Sequence, residues 1–273
     1  MRLDLCCILI LSAAMTIRPV NGQNLPSRIV SGDFQRFEVD NLGNIYVITF
    51  SNQLRKYSPD GDSVSVFNDL VRYGRLRNMD VSNPLRTLLF YPDFGTILIL
   101  DRMLKPIDAI DLRRLFMMQV SVVATSYDNH CWIYDDQEAR LRKLDAQGRI
   151  LVESPDLRML MDDVPHPVVL SDQQGIVSMY DPARGLYIFD LYGAFQQRIP
   201  MKGCTNVRVT GRTFEGMCDG KLLSYDLKTG RIANIEHPVN PQDIRQIVFQ
   251  NGSLYVLDKA GVTRFNRKPD SNY

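Results

Sequence analysis

The residues most able to do chemistry are few. The chain has three histidines in 273 residues. His130 falls at a turn, and His166 and His237 each precede a proline in a connecting stretch. A metal ion or an acid–base site needs several ligands or proton carriers that converge, and these three lie far apart along the chain. Asp60, Asp145, Asp190 and Asp226 would interest calcium if they gathered several oxygens in one place. Each instead closes the same short phrase of sequence, where an aspartate bonds its own backbone in a turn. The side chains therefore point to no catalytic residue, no cofactor and no metal.

The phrase that carries those aspartates is the organising feature. Leu54-Arg55-Lys56-Tyr57-Ser58-Pro59-Asp60-Gly61 returns as Leu141-Arg142-Lys143-Leu144-Asp145-Ala146-Gln147-Gly148. Looser copies run from Leu186 to Gly193 and from Leu222 to Gly230, and Val262 to Asn266 is a truncated one. Each reads as a strand of alternating side chains entering a turn. Repeats of about 40 residues built from a few short strands predict an all-β fold, a β-propeller. Tyr57, Phe189, Tyr225 and Phe265 recur at one repeat position, which predicts packing between blades and not a ligand cage.

Segmenting the chain on this phrase gives about six blades, with five or seven left open. The clearest is Phe37 to Phe67, a four-strand meander. The second is blurred: Pro84 to Tyr91 and Thr96 to Asp101 are apolar enough for strands buried on both faces, and Leu70 to Val81 before them reads as a short helix or loop. A short helix also fits Leu157, Leu160 and Met161 between Pro155 and Pro165. The last blade, Ile244 to Phe265, is one strand short. Arg28-Ile29-Val30-Ser31 would complete it from the other terminus and remove an open sheet edge.

The front of the chain reads as a secretory signal peptide over residues 1–22, leaving residues 23–273 as one propeller domain. Leu5 to Ile17 is an apolar run that is too short for the ~20 residues of a spanning helix, and Val20-Asn21-Gly22 suits a signal peptidase. No other stretch is long and apolar enough to cross a membrane. The net charge of +1 supplies no basic field for nucleic acid.

Export makes cysteine pairing worth testing. Cys204 and Cys218 lie symmetrically about Gly211, and a hairpin with an odd loop centred there would face the two sulfurs; a slip of one residue would part them. Buried thiols are the alternative, and Cys131 beside Trp132 reads as core. The turn after the apolar strand offers a candidate interface. Tyr91 and Phe94, with Asp93 between them, would place two aromatics at a loop tip.

Asn83-Pro84-Leu85-Arg86, Phe90-Tyr91-Pro92-Asp93-Phe94, Leu100-Asp101, Ser126-Tyr127-Asp128-Asn129, Trp132-Ile133-Tyr134-Asp135 and Leu141 to Asp145 together resemble a family of small exported Bacteroidota proteins. The resemblance covers most of the mature chain. The family looks like that of the plug of the type IX secretion translocon. The resemblance implies a non-enzymatic periplasmic protein that caps the periplasmic mouth of a very large outer-membrane translocon barrel and is held to the membrane through that partner. It carries over no catalytic motif. Two other readings stay open: a ligand- or carbohydrate-binding propeller, and a propeller lyase or hydrolase acting at the ring axis through clustered carboxylates.

Overall fold

The computed structural model describes residues 26–235 and 243–266. The expected signal peptide and His237 lie outside them. The first strand, β1 (Ser27–Ser31), has its partner at the far end of the chain. Next come β2 (Arg36–Val39), β3 (Ile45–Ile48), β4 (Leu54–Tyr57) and β5 (Ser63–Phe67), an antiparallel meander that forms the first blade. A single helical turn, α1 (Leu70–Tyr73), leads to β6 (Asn78–Asp80), β7 (Arg86–Tyr91), β8 (Thr96–Asp101) and β9 (Pro106–Asp111). The third blade is β10 (Val120–Thr125), β11 (Cys131–Asp135), β12 (Arg140–Leu144) and β13 (Ile150–Glu153). The fourth is β14 (Val169–Gln173), β15 (Ile176–Asp181), β16 (Gly185–Phe189) and β17 (Phe195–Ile199). The fifth is β18 (Thr205–Val209), β19 (Thr213–Cys218), β20 (Lys221–Asp226) and β21 (Ile232–Asn234). The sixth holds β22 (Gln246–Gln250), β23 (Ser253–Asp258) and β24 (Gly261–Asn266), and β1 pairs antiparallel with β24 as its fourth strand.

The fold is thus a six-bladed β-propeller closed by its N-terminal strand. Closure is tight: Ser31 faces Gly261 in the ladder. Gly261 has φ +140°, and a Cβ there would come within 2.0 Å of the Val30 carbonyl oxygen.

The second blade corrects the sequence reading. Its innermost strand, β6, lies within Leu70 to Val81, the stretch that reads as helix or loop, because Asn78-Met79-Asp80 is short and polar. Its outer strand β9 has no sequence signal either. The stretch after Pro155 forms only a 3-10 turn, Leu157–Met159, capped by the Asp156 carboxylate. Strands β7 and β8 are buried on both faces, as their composition requires.

The core is divided among the blade boundaries. One apolar cluster joins Tyr46, Ile48 and Leu54 of the first blade to Leu89, Tyr91 and Leu98 of the second. Another joins Trp132, Tyr134 and Leu141 to Met179, Tyr187 and Phe189. The remaining boundaries repeat the arrangement, the last uniting Phe37 and Val47 with Tyr255 and Leu257. Each blade therefore depends on its two neighbours for burial, which makes closure a stability matter.

Candidate functional site

The topology defines two faces. Hairpins between the first and second strand of each blade crowd one mouth of the axial channel. Connections from blade to blade, with the loops between second and third strands, make the other face.

The candidate tip lies on the connection face, and the structure splits it. Tyr91 is 3 % exposed and stacks on Tyr73 with ring centroids 5.4 Å apart, so it belongs to the core between the first two blades and not to an interface. Helical turn α1, at the start of the stretch that reads as helix or loop, is what covers it. Phe94 is 46 % exposed and sits in the 3-10 turn Pro92–Phe94. The Arg113 guanidinium lies over its ring at 5.5 Å. Asp93 remains exposed, and its Oδ2 accepts from the Arg75 backbone N–H at 3.2 Å.

The stronger aromatic feature was missed. Between β9 and β10 the chain turns tightly, with Leu115 N–H donating to Leu112 O and Met117 N–H to the same carbonyl. Leu112 and Met117 point into the core, which turns Arg113, Arg114, Phe116 and Met118 outward. Phe116 is 87 % exposed and is held at φ 59°, a conformation that costs a bulky side chain about 1–3 kcal/mol. The loop between β3 and β4 adds Phe50 to this face, and the connection between β13 and β14 adds Met159 and Leu160, all exposed. Arg72, Arg75 and Arg77 precede the second blade on the same side, also exposed. Aromatic, methionine and arginine side chains are those enriched at protein interfaces.

The axial channel, of about 290 Å³, is lined by the innermost strands. Its polar side chains stitch neighbouring blades together. The Gln246 carboxamide accepts from Phe37 N–H at 3.0 Å and donates to Phe37 O at 2.9 Å, joining the last blade to the first. Arg36 donates to Arg77 O. Asp80 accepts from Thr125 N–H at 2.7 Å. Asp172 accepts from Ser126 Oγ at 2.6 Å and from Trp132 Nε1 at 2.9 Å. Ser171 donates to Val209 O at 3.3 Å, and Asn206 accepts from Ile247 N–H at 3.2 Å. Glu38 joins blades too, accepting from Gln246 Nε2 at 3.5 Å and facing Arg208 at 4.0 Å. Burial pushes its carboxyl up to about 7, Arg208 opposing and Asp80 adding to the shift.

The histidines do not meet. His130 pairs with Asp128 at 3.2 Å at the hairpin mouth, and His166 pairs with Asp136 at 3.5 Å on the connection face. Among the described residues, no three His, Cys, Asp or Glu side chains are grouped to hold a metal. The repeat aspartates cap turns: Asp145 Oδ1 accepts from the N–H of Gln147 and Arg149, and Asp190 Oδ1 from those of Tyr192 and Ala194. In the first repeat Ser58 does this work instead of Asp60, its Oγ accepting from Asp60 N–H at 3.3 Å and Asp62 N–H at 3.1 Å.

Cys204 and Cys218 are disulfide-bonded, while Cys131 is free and buried. The hairpin differs from an odd loop centred on Gly211. Val209 faces Phe214, so the turn is centred between Gly211 and Arg212, and an unbroken ladder would set Cys204 opposite Asp219. A bulge restores the pairing. Asn206 and Val207 together oppose Gly216, and Thr205 faces Met217.

The sequence matches no protein-family model and no curated protein. The fold is similar to the WD40 domain of Neurospora crassa Pan2, with TM-score 0.61 and 11% identity over 88% of this chain and 81% of that one. It is also similar to a catalytically inactive virginiamycin B lyase from Staphylococcus aureus with quinupristin, with TM-score 0.58 and 11% identity over 92% and 88% of the two chains. A streptogramin B lyase matches with TM-score 0.57 and 14% identity over 85% and 78%. At these identities the likeness shows the propeller fold and carries no activity.

Proposed function

We propose that the chain is a non-enzymatic interaction protein of the periplasm, and that it plugs the periplasmic mouth of the outer-membrane translocon barrel of type IX secretion. The barrel as partner comes from the family resemblance. The observation that supports an interaction role is the connection face, where a hydrogen-bonded loop presents Phe116 and Met118 beside Arg113 and Arg114. A loop that buries Leu112 and Met117 while holding Phe116 outward in a strained conformation is arranged for contact. The ring behind it is stiff, because every blade boundary is both apolar and stitched by hydrogen bonds.

Purification of the tagged protein from its native envelope tests the reading. A very large outer-membrane barrel should come along in near-equal amount, and the double substitution Phe116→Ser, Met118→Ser should remove it without changing the melting temperature. Recovery of no envelope protein, or recovery unchanged by the substitutions, would refute the proposal.

One observation favours an enzymatic reading. A carboxyl titrating near 7 in an axial channel is what a general acid or base needs. The groups around Glu38, however, are committed to joining blades: Gln246 bridges to Phe37, Arg208 donates to Gln250, and Asp80 accepts from Thr125 N–H.

A further inference from the structure

The hairpin face carries an open groove that neither the channel nor the aromatic loop accounts for. It has a volume of about 650 Å³ and runs between the fourth and fifth blades. Its apolar lining is Ile176, Ile188 and Leu227. At the axial end it continues through Gln173 and Gln174 into a second hollow of about 400 Å³ at the channel mouth. Both volumes fall in the range of ligand pockets, ~300–1,000 Å³. At the other end stand Arg212 and Lys228, both exposed. Asp226 holds the Arg212 Nε at 3.3 Å, which fixes the guanidinium at the rim with its terminal nitrogens available.

We propose that this groove binds an extended peptide segment, with Gln173 and Gln174 pairing to its backbone, Ile176 and Leu227 receiving an apolar side chain, and Arg212 and Lys228 taking a carboxylate beyond it. Three features select this ligand. Among the described residues, neither the Gln173 nor the Gln174 carboxamide has a hydrogen-bond partner, so each retains a donor and an acceptor. The same molecule shows what such a carboxamide does with a strand, since Gln246 takes both the N–H and the C=O of Phe37. The cationic end and aliphatic wall match a segment that is apolar and then acidic or chain-terminal. A saccharide would ask for aromatic platforms, whereas the groove wall is aliphatic and Tyr127 in the adjoining hollow has the Lys143 ammonium over its ring at 4.9 Å. The inference goes beyond the plug reading and uses the opposite face of the ring.

The test uses the purified mature protein and a hexapeptide library dye-labelled at the amino end, with binding read by fluorescence anisotropy. Enrichment of one apolar position followed by an acidic residue or a free carboxyl terminus is expected. Gln174→Gly keeps the left-handed backbone at φ 57° and should weaken the selected peptide by about fivefold to tenfold. Arg212→Glu should turn the selected charge from acidic to basic. Phe116→Ser on the opposite face should leave binding intact, which separates this proposal from the plug reading. A library with no enrichment, an Arg212→Glu selection still acidic, or displacement of the selected peptide by neutral maltohexaose would overturn it.

Discussion

At the scale of single residues, Phe116 is where local stability has been set aside. A phenylalanine at φ 59° with its ring in solvent gains nothing from the fold. Phe116→Gly should therefore stabilise the free protein by up to about 1 kcal/mol, because glycine adopts that conformation without strain. The same change should weaken capture of a partner. Chemical denaturation checks the first effect, and a stability loss would mean that the ring packs in a way its exposure denies. Glu38 makes a pH prediction. Its carboxyl is raised from 4.5 to about 7 chiefly by burial, so the folded state holds a proton that the unfolded chain releases between those values. The stability it contributes is full below about pH 4.5 and is lost as pH rises through about 7. Glu38→Gln should flatten that decline by about 1–2 kcal/mol between pH 5 and pH 8, the effect being reduced because channel water reaches the group. Equal pH dependence of the unfolding free energy in the two proteins, read by urea denaturation at each pH, would show that Glu38 ionises freely in the ring.

At the scale of elements, the fifth-blade hairpin shows how a covalent link depends on a local irregularity. The bulge at Asn206 and Val207 brings Cys204 opposite Cys218, and Gly216 permits it because a Cβ there would lie 3.2 Å from the Val207 side chain. The link closes a short loop, with a sequence separation of 14. Replacing both cysteines by serine should cost about 2–4 kcal/mol, read as a lower denaturation midpoint that reducing agent no longer shifts. An unchanged midpoint would place the stability of this hairpin in its apolar contacts alone. The cysteine spacing was legible in the sequence, but the register was not, since a bulge leaves no mark that a symmetric hairpin lacks. Strand β6 was illegible for a related reason. Its polar residues Asn78 and Asp80 bond the neighbouring blade, Asn78 donating to Val123 O at 3.2 Å, and only Met79 between them is buried, so three residues are too few to display the alternation that betrays a half-buried strand.

At the scale of the whole molecule, closure is the stability device. Gly261→Ala should destabilise the ring by about 2–4 kcal/mol, because its Cβ would meet the Val30 carbonyl and force β1 off β24. Scanning calorimetry checks this, and light scattering should show association through the exposed edge of β24. A variant with the parent melting temperature would show that β1 is dispensable. The architecture was legible before folding: the repeated strand-and-turn phrase, the missing fourth strand of the last blade and the spare strand near the N-terminus point to a closed ring of about six blades, because repeat period and turn chemistry are local properties. Which aromatics reach the surface was not legible there. Tyr91 and Phe116 are both aromatics beside loops, yet a helical turn covers one while buried neighbours hold the other in solvent. Exposure of that kind depends on what packs against a residue from distant parts of the chain, and nearest neighbours in sequence do not encode it.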